Sequence, residues 1–115
     1  MSLRLARVNE LVKREIGSYL STRYGAETVR WTITSVDVSA DLRNATVAYS
    51  VIGDELCARQ AQHFFRKHAS EIRAVVSKYV VLKYSPKLEF VRDLGIERGN
   101  RVMEILDNLD ESSEE

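Results

Sequence analysis

The sequence has 115 residues and a formal net charge of zero, enough chain for one domain with one core and too little for two. Its 44% hydrophobic and 30% charged residues suit a globular fold, and the longest apolar run, Tyr79-Val80-Val81-Leu82, is far too short to span a bilayer. Cys57 is the only cysteine, which excludes an internal disulfide or a thiolate metal site and suggests a reducing, cytoplasmic setting, while the charged opening MSLRLARVNELVKREI lacks the apolar stretch of a secretory signal.

Residues 3–22 are predicted as an amphipathic helix. Leu5, Val8, Val12, Ile16 and Tyr19 recur on one face, and Arg7 and Arg14, with Arg4 beside Arg7, lie roughly opposite. Tyr24 and Gly25 are expected to close it, with Gly25 as the stop. Residues 29–38 alternate as a strand, with Val29, Trp31 and Ile33 on one phase. The phase slips by one residue at Val36 and Val38, which predicts a bulge near Ser35. Turn formers occupy 39–44, with Asp41 as a turn residue, and Ala45, Val47, Tyr49 and Val51 form a second strand, so a hairpin is expected.

Gly53-Asp54 breaks that strand and opens a helix over 55–68, with Cys57, Ala61, Phe64, Phe65 and His68 inward. Ser70 is a good N-cap and Glu71 suits a first turn. A kink at Ala69, Ser70 and Glu71 is therefore expected, followed by a second helix over 71–83 with Ile72, Val75, Val76 and Tyr79 inward. One uninterrupted helix is the alternative. Pro86 ends the run. Residues 87–92 read as a third strand with Leu88 and Phe90 inward, and Asp93-Leu94-Gly95 turns the chain. A last helix over 97–109 would bury Val102, Ile105, Leu106 and Leu109, and 110–115 reads as an acidic tail without fixed structure. The order α-β-β-α-α-β-α makes a single α+β domain over 1–109, a three-stranded sheet covered by helices on one face.

The charge is unevenly spread. Residues 1–102 hold 17 Lys and Arg against 11 Asp and Glu, a net +6, and residues 103–115 hold six acids and no base, a net −6. A basic body with an acidic end suits a polyanion binder, although many proteins that bind nothing charged share it. Two cationic surfaces are candidates for RNA: Arg4, Arg7 and Arg14 on the first helix, and Arg59, Arg66, Lys67, Arg73, Lys78 and Lys83 on the central helices, where Glu71 is the one acid from 59 to 83. The competing reading of both is a solvated helix face. Most aromatics sit on apolar phases and belong to the core. His63 and His68 are five residues apart, on different helix faces, unlike a zinc-binding pair. No nucleophile elbow or phosphate loop occurs, so neither a metal, a cofactor nor catalysis is expected.

Three segments, RVNELVKREI, ITSVDVSADLRNATVAYSV and SPKLEFVRDLGIERGNRV, resemble the ribosome-binding factor A family in order and spacing. The match rests on Val36, Val38, Ser39, Asp41, Leu42, Ala45 and Val47, then Pro86, Leu88, Phe90 and Asp93, then Gly99, Arg101 and Val102, and it spans about residue 4 to about residue 109. The resemblance implies a KH-like fold of the type II kind and binding to the small (30S) ribosomal subunit through its 16S rRNA. It implies a role in late subunit maturation and rRNA processing, on free subunits, in the cytoplasm, with a link to cold adaptation. A monomer without a small-molecule substrate or membrane partner is expected. A KH-like module that binds protein and not RNA is the alternative. One position departs from the pattern. Ordinary KH domains clamp single-stranded backbone with a Gly-x-x-Gly loop, and the family resembled here has Ala-x-Gly at a kink. This chain has Ala69-Ser70-Glu71. Glutamate lacks the backbone freedom of glycine and its charge opposes a phosphate, so the clamp is not carried over.

Overall fold

A computed structural model describes residues 3–80 and 85–95. They form two helices and three strands: α1 (Leu3–Thr28), β1 (Trp31–Val38), β2 (Asn44–Val51), α2 (Glu55–Tyr79) and β3 (Lys87–Arg92). The expected helix over 97–109 and the acidic tail over 110–115 lie outside the described residues.

The strand order is β1-β2-β3, with β1 antiparallel and β3 parallel to β2. The hairpin loop has the chemistry its turn formers suggest. Ser39 N–H donates to Asn44 O at 2.8 Å, and Asp41 Oδ1 accepts from Ser39 Oγ at 2.6 Å and from Arg43 N–H at 3.1 Å. The expected bulge is present, since the register shifts between Ile33 and Ser35. It turns Ile33 before it and Val36 and Val38 after it into the same core. Val47, Tyr49 and Leu88 join them, while Thr32, Asp37, Thr46, Lys87 and Glu89 stand exposed on the other face. Both helices cover the buried face. α1 supplies Val12, Ile16 and Leu20, and α2 supplies Ala61, Phe64, Phe65, Ile72 and Val76. α1 lies along β1, where Asn9 Oδ1 accepts from Val38 N–H at 2.8 Å. α2 reaches β3, with Phe65 stacked on Phe90 at 4.7 Å and Arg92 Nη1 on Glu55 Oε1 at 3.4 Å.

Four expectations need correction. Gly25 is not the stop: the first helical stretch breaks at Tyr24 (φ −129°, ψ 32°), one of the two residues expected to close it, and a further helical turn runs on to Thr28, whose Oγ1 donates to Tyr24 O at 2.9 Å. Val29 is therefore in a turn and exposed, and the strand begins at Trp31. There is no break at Ala69, Ser70 and Glu71, because α2 is one helix of 25 residues. No proline or glycine interrupts it, so the capping tendency of Ser70 competes against a full set of helical hydrogen bonds and loses. Tyr79 is 58% exposed instead of inward. A 25-residue helix is longer than the strands beneath it, so its last turn overhangs the sheet and Val80 takes the buried position.

Gly53 starts the turn into α2 at φ +138°, and a Cβ there would lie 2.7 Å from Cys57 Sγ. Asp54 then caps the helix by accepting from Cys57 N–H at 3.0 Å. Gly53→Ala should cost about 1–3 kcal/mol in chemical unfolding, because both the backbone angle and the space are wrong for a side chain. Gly25→Ala, with nothing within 4 Å of the new methyl, should be neutral or slightly stabilising. Equal effects at the two positions would contradict this.

Candidate nucleic-acid interface

α2 carries Arg59, Arg66 and Arg73 at seven-residue spacing, all exposed. Seven residues make nearly two turns and a rise of about 10 Å, so the three guanidinium stems line one side of the helix. That side faces β3. Arg66 borders a hollow of about 250 Å³ floored by Tyr49, Phe65, Leu88 and Phe90. Arg73 donates from Nη2 to Ser85 O at 2.7 Å and from Nε to Ser85 Oγ at 3.3 Å, which fixes it just ahead of β3. Lys67 lies on the other flank of α2, where it lines a hollow of about 380 Å³ with Glu27, Trp31, Gln60 and His63. Lys78 Nζ sits 5.5 Å from the Tyr79 ring centroid, and Lys83 lies outside the described residues.

The first-helix set is elsewhere. Arg4, Arg7 and Arg14 are exposed, and Arg7 and Arg14 line a cleft of about 890 Å³ between α1 and the start of β1. Leu11, Trp31 and Ile33 floor it, and Lys13 and Glu10 stand with the arginines. The cations thus border separate hollows: Arg7 and Arg14 a cleft beside β1, Arg66 a hollow beside β3, and Lys67 a third on the opposite flank of α2. Sequence reasoning missed Lys13; its adjacency to Arg14 was the available signal. Of the aromatics, Phe64 and Phe65 are core residues, as expected, while Trp31 and Phe90 are only half-buried.

The acid amid the α2 cations is turned away from the arginine line. Glu71 Oε2 accepts from Tyr24 Oη at 2.8 Å and meets His68 Nδ1 at 3.2 Å, and Arg23 Nε is 3.9 Å from Oε1. The Tyr24 hydrogen bond holds the Glu71 carboxyl below the usual carboxylate range against the opposing effect of burial, with help from Tyr19 and His68. Tyr19 is pushed up to about 12, by burial first and by Glu71 second. Glu71 is therefore a tie between α1 and α2, formed across 47 positions of sequence. A group ionised more easily folded than unfolded stabilises above its unfolded pKa and loses that effect as pH falls through its folded pKa. Glu71→Gln should therefore cost about 1 kcal/mol near neutral pH, the value of a charged hydrogen bond discounted for a side chain 37% exposed. The difference from wild type should shrink as pH drops through and below the ordinary glutamate range. A pH-independent difference in unfolding midpoints would contradict the assignment.

Comparison with known proteins identifies the chain. The sequence pattern of ribosome-binding factor A matches residues 4–106. The ribosome-binding factor A of Opitutus terrae is 41% identical over 110 residues, covering 96% of this chain and 90% of that protein. This chain belongs to the ribosome-binding factor A family. The family member of Heliobacterium modesticaldum is 35% identical over 108 residues, covering 93% of this chain and 89% of that one. The crystal structure of ribosome-binding factor A from Thermus thermophilus superposes with a TM-score of 0.68 at 18% identity, covering 76% of this chain and 94% of that chain. A Thermus thermophilus ribosome-binding factor A model fitted into a cryo-electron-microscopy map of a 30S complex superposes with a TM-score of 0.57 at 20% identity, covering 70% of this chain and 86% of that one. The fold is thus the KH-like fold of the ribosome-binding factor A family, with β2-α2-β3 as its core and α1-β1 preceding it.

Proposed function

We propose that this protein is a non-catalytic assembly factor that binds the small ribosomal subunit through its 16S rRNA, on free subunits, and assists late maturation and processing of that RNA. The observation that carries this reading is the arginine line of α2. Arg59 and Arg66 are exposed on one helix, Arg66 beside a hollow floored by aromatic rings, and the acids of α2 are engaged elsewhere, Glu55 with Arg92 and Glu71 with Tyr24 of α1. Cations held in this way position a phosphate backbone without reading sequence. The Thermus relative fitted into a 30S complex supports the choice of the small subunit as partner. By favouring one conformational stage of the subunit, the protein would shift the population toward it. The same reading makes it a cytoplasmic monomer whose loss is felt most in the cold.

Replacing Arg66, Lys67 and Lys78 with alanine tests it. All three are exposed, so the fold should survive with a change within about 0.5 kcal/mol. Affinity for small subunits should fall roughly ten-fold or more, and the log–log salt slope should lose about 0.7–0.9 for each phosphate contact removed. Full retention of binding would move the site elsewhere, and binding indifferent to salt would favour a protein partner.

A further inference from the structure

The cleft between α1 and β1 is left over by the arginine line of α2. Its floor is apolar, from Leu11, Trp31 and Ile33, and its rim carries Arg7, Lys13 and Arg14 against Glu10. A ligand for it needs apolar side chains and carboxylates or phosphates together. The chain itself supplies the first combination. Residues 103–115 hold six acids and no base, and Val102, Ile105, Leu106 and Leu109 recur at three- and four-residue spacing.

The described chain ends at Gly95, at the same end of the sheet as Trp31. Asp93, directly after β3, donates its N–H to Tyr49 O on β2, and its Oδ2 accepts from Thr34 Oγ1 on β1 at 2.9 Å. Asp93 itself still pairs with β2, but its side chain spans that strand to β1, the strand whose Trp31 and Ile33 floor the cleft. Residues 96–101 offer up to about 20 Å of extended chain for the remaining distance.

We propose that residues 102–115 dock in the α1–β1 cleft of their own chain, with apolar side chains on Leu11, Trp31 and Ile33 and carboxylates on Arg7, Lys13 and Arg14. Docked, the segment competes with RNA phosphates for Arg7 and Arg14 and lowers binding to unrelated RNA. Only this second clause rests on the proposed function.

Zero-length carbodiimide coupling of the full chain, without RNA and at low salt, tests the docking. The expected product is an intramolecular amide from Lys13 to Glu104, Asp107, Asp110 or Glu111 in the monomer band. It should be lost in an R7E/R14E double variant and weakened at high salt. Coupling spread over Lys67, Lys78 and Lys87 without preference for Lys13 would overturn the docking, as would Lys13 products found only in dimers, which would make a second copy the occupant. For the competition, the full-length variant E104Q/D107N/D110N/E111Q should bind an unrelated single-stranded RNA about three- to ten-fold more tightly at low salt, the range expected of a weak tethered competitor. The gain should vanish when R7A and R14A are added. Unchanged affinity in a protein that still couples at Lys13 would overturn the competition. Absence of RNA binding in every variant would count against the proposed function while the coupling result stands.

Discussion

Phe65→Ala should destabilise the protein by about 3–5 kcal/mol, measured as the shift of the chemical unfolding midpoint. Phe65 is 1% exposed and holds together elements far apart in the chain. Its ring lies 4.5 Å from Tyr49 on β2, 4.7 Å from Phe90 on β3, 5.5 Å from Phe64 on α2 and 5.7 Å from Trp31 on β1. Truncation removes the apolar transfer energy and leaves a void among aromatic rings that cannot all collapse into it. A domain of this size has about 5–15 kcal/mol in total, so the variant should be partly unfolded at growth temperature. A loss below about 1 kcal/mol would mean that the sheet and α2 are not joined through this cluster.

Reversing Arg59 and Arg66 together to glutamate should have the largest effect on binding. Removing the two cations weakens binding by the lost phosphate contacts, and the two new carboxylates repel the same phosphates, so a loss of about 100-fold or more is expected at low salt. Both residues are exposed, so the unfolding midpoint should move little. Lys87→Glu changes charge on the exposed sheet face and should leave subunit affinity within about two-fold. If the Lys87 variant lost as much as the double variant, net charge would govern binding and the arginine line would have no special part.

The elements that carry this arrangement were legible wherever the information is local. Alternation marked all three strands, and the phase slip between Ile33 and Val36 marked the bulge, because a two-residue period exposes a one-residue insertion directly. Asp54 and Asp41 were legible as cap and turn residues because their side chains bond backbone within three residues. What misled was also local. Ser70 followed by Glu71 reads as a helix start, yet Glu71 is held by Tyr24 from the far end of α1, a partner no window of sequence contains. Gly25 reads as a helix end, but the chain bends one residue earlier and continues, since Thr28 closes on Tyr24 O.

The candidate site divides in the same way. That α2 is cationic follows from counting residues. That Arg73 is fixed on Ser85, or that Arg7, Lys13 and Arg14 share a cleft with Trp31, depends on which helix lies over which strand. Sheet order supplies that, and it is a long-range property: β1 and β3 are separated by β2 in space and by all of α2 in sequence.

Co-sedimentation of the purified protein with free small subunits and with full ribosomes, at about 50 and 200 mM salt, reads the central claim most directly. The protein should pellet with free small subunits at the lower salt, be largely released at the higher, and remain in the supernatant with full ribosomes at both. Equal retention on the two particles, or failure to pellet with small subunits even at the lower salt, would contradict a small-subunit RNA binder.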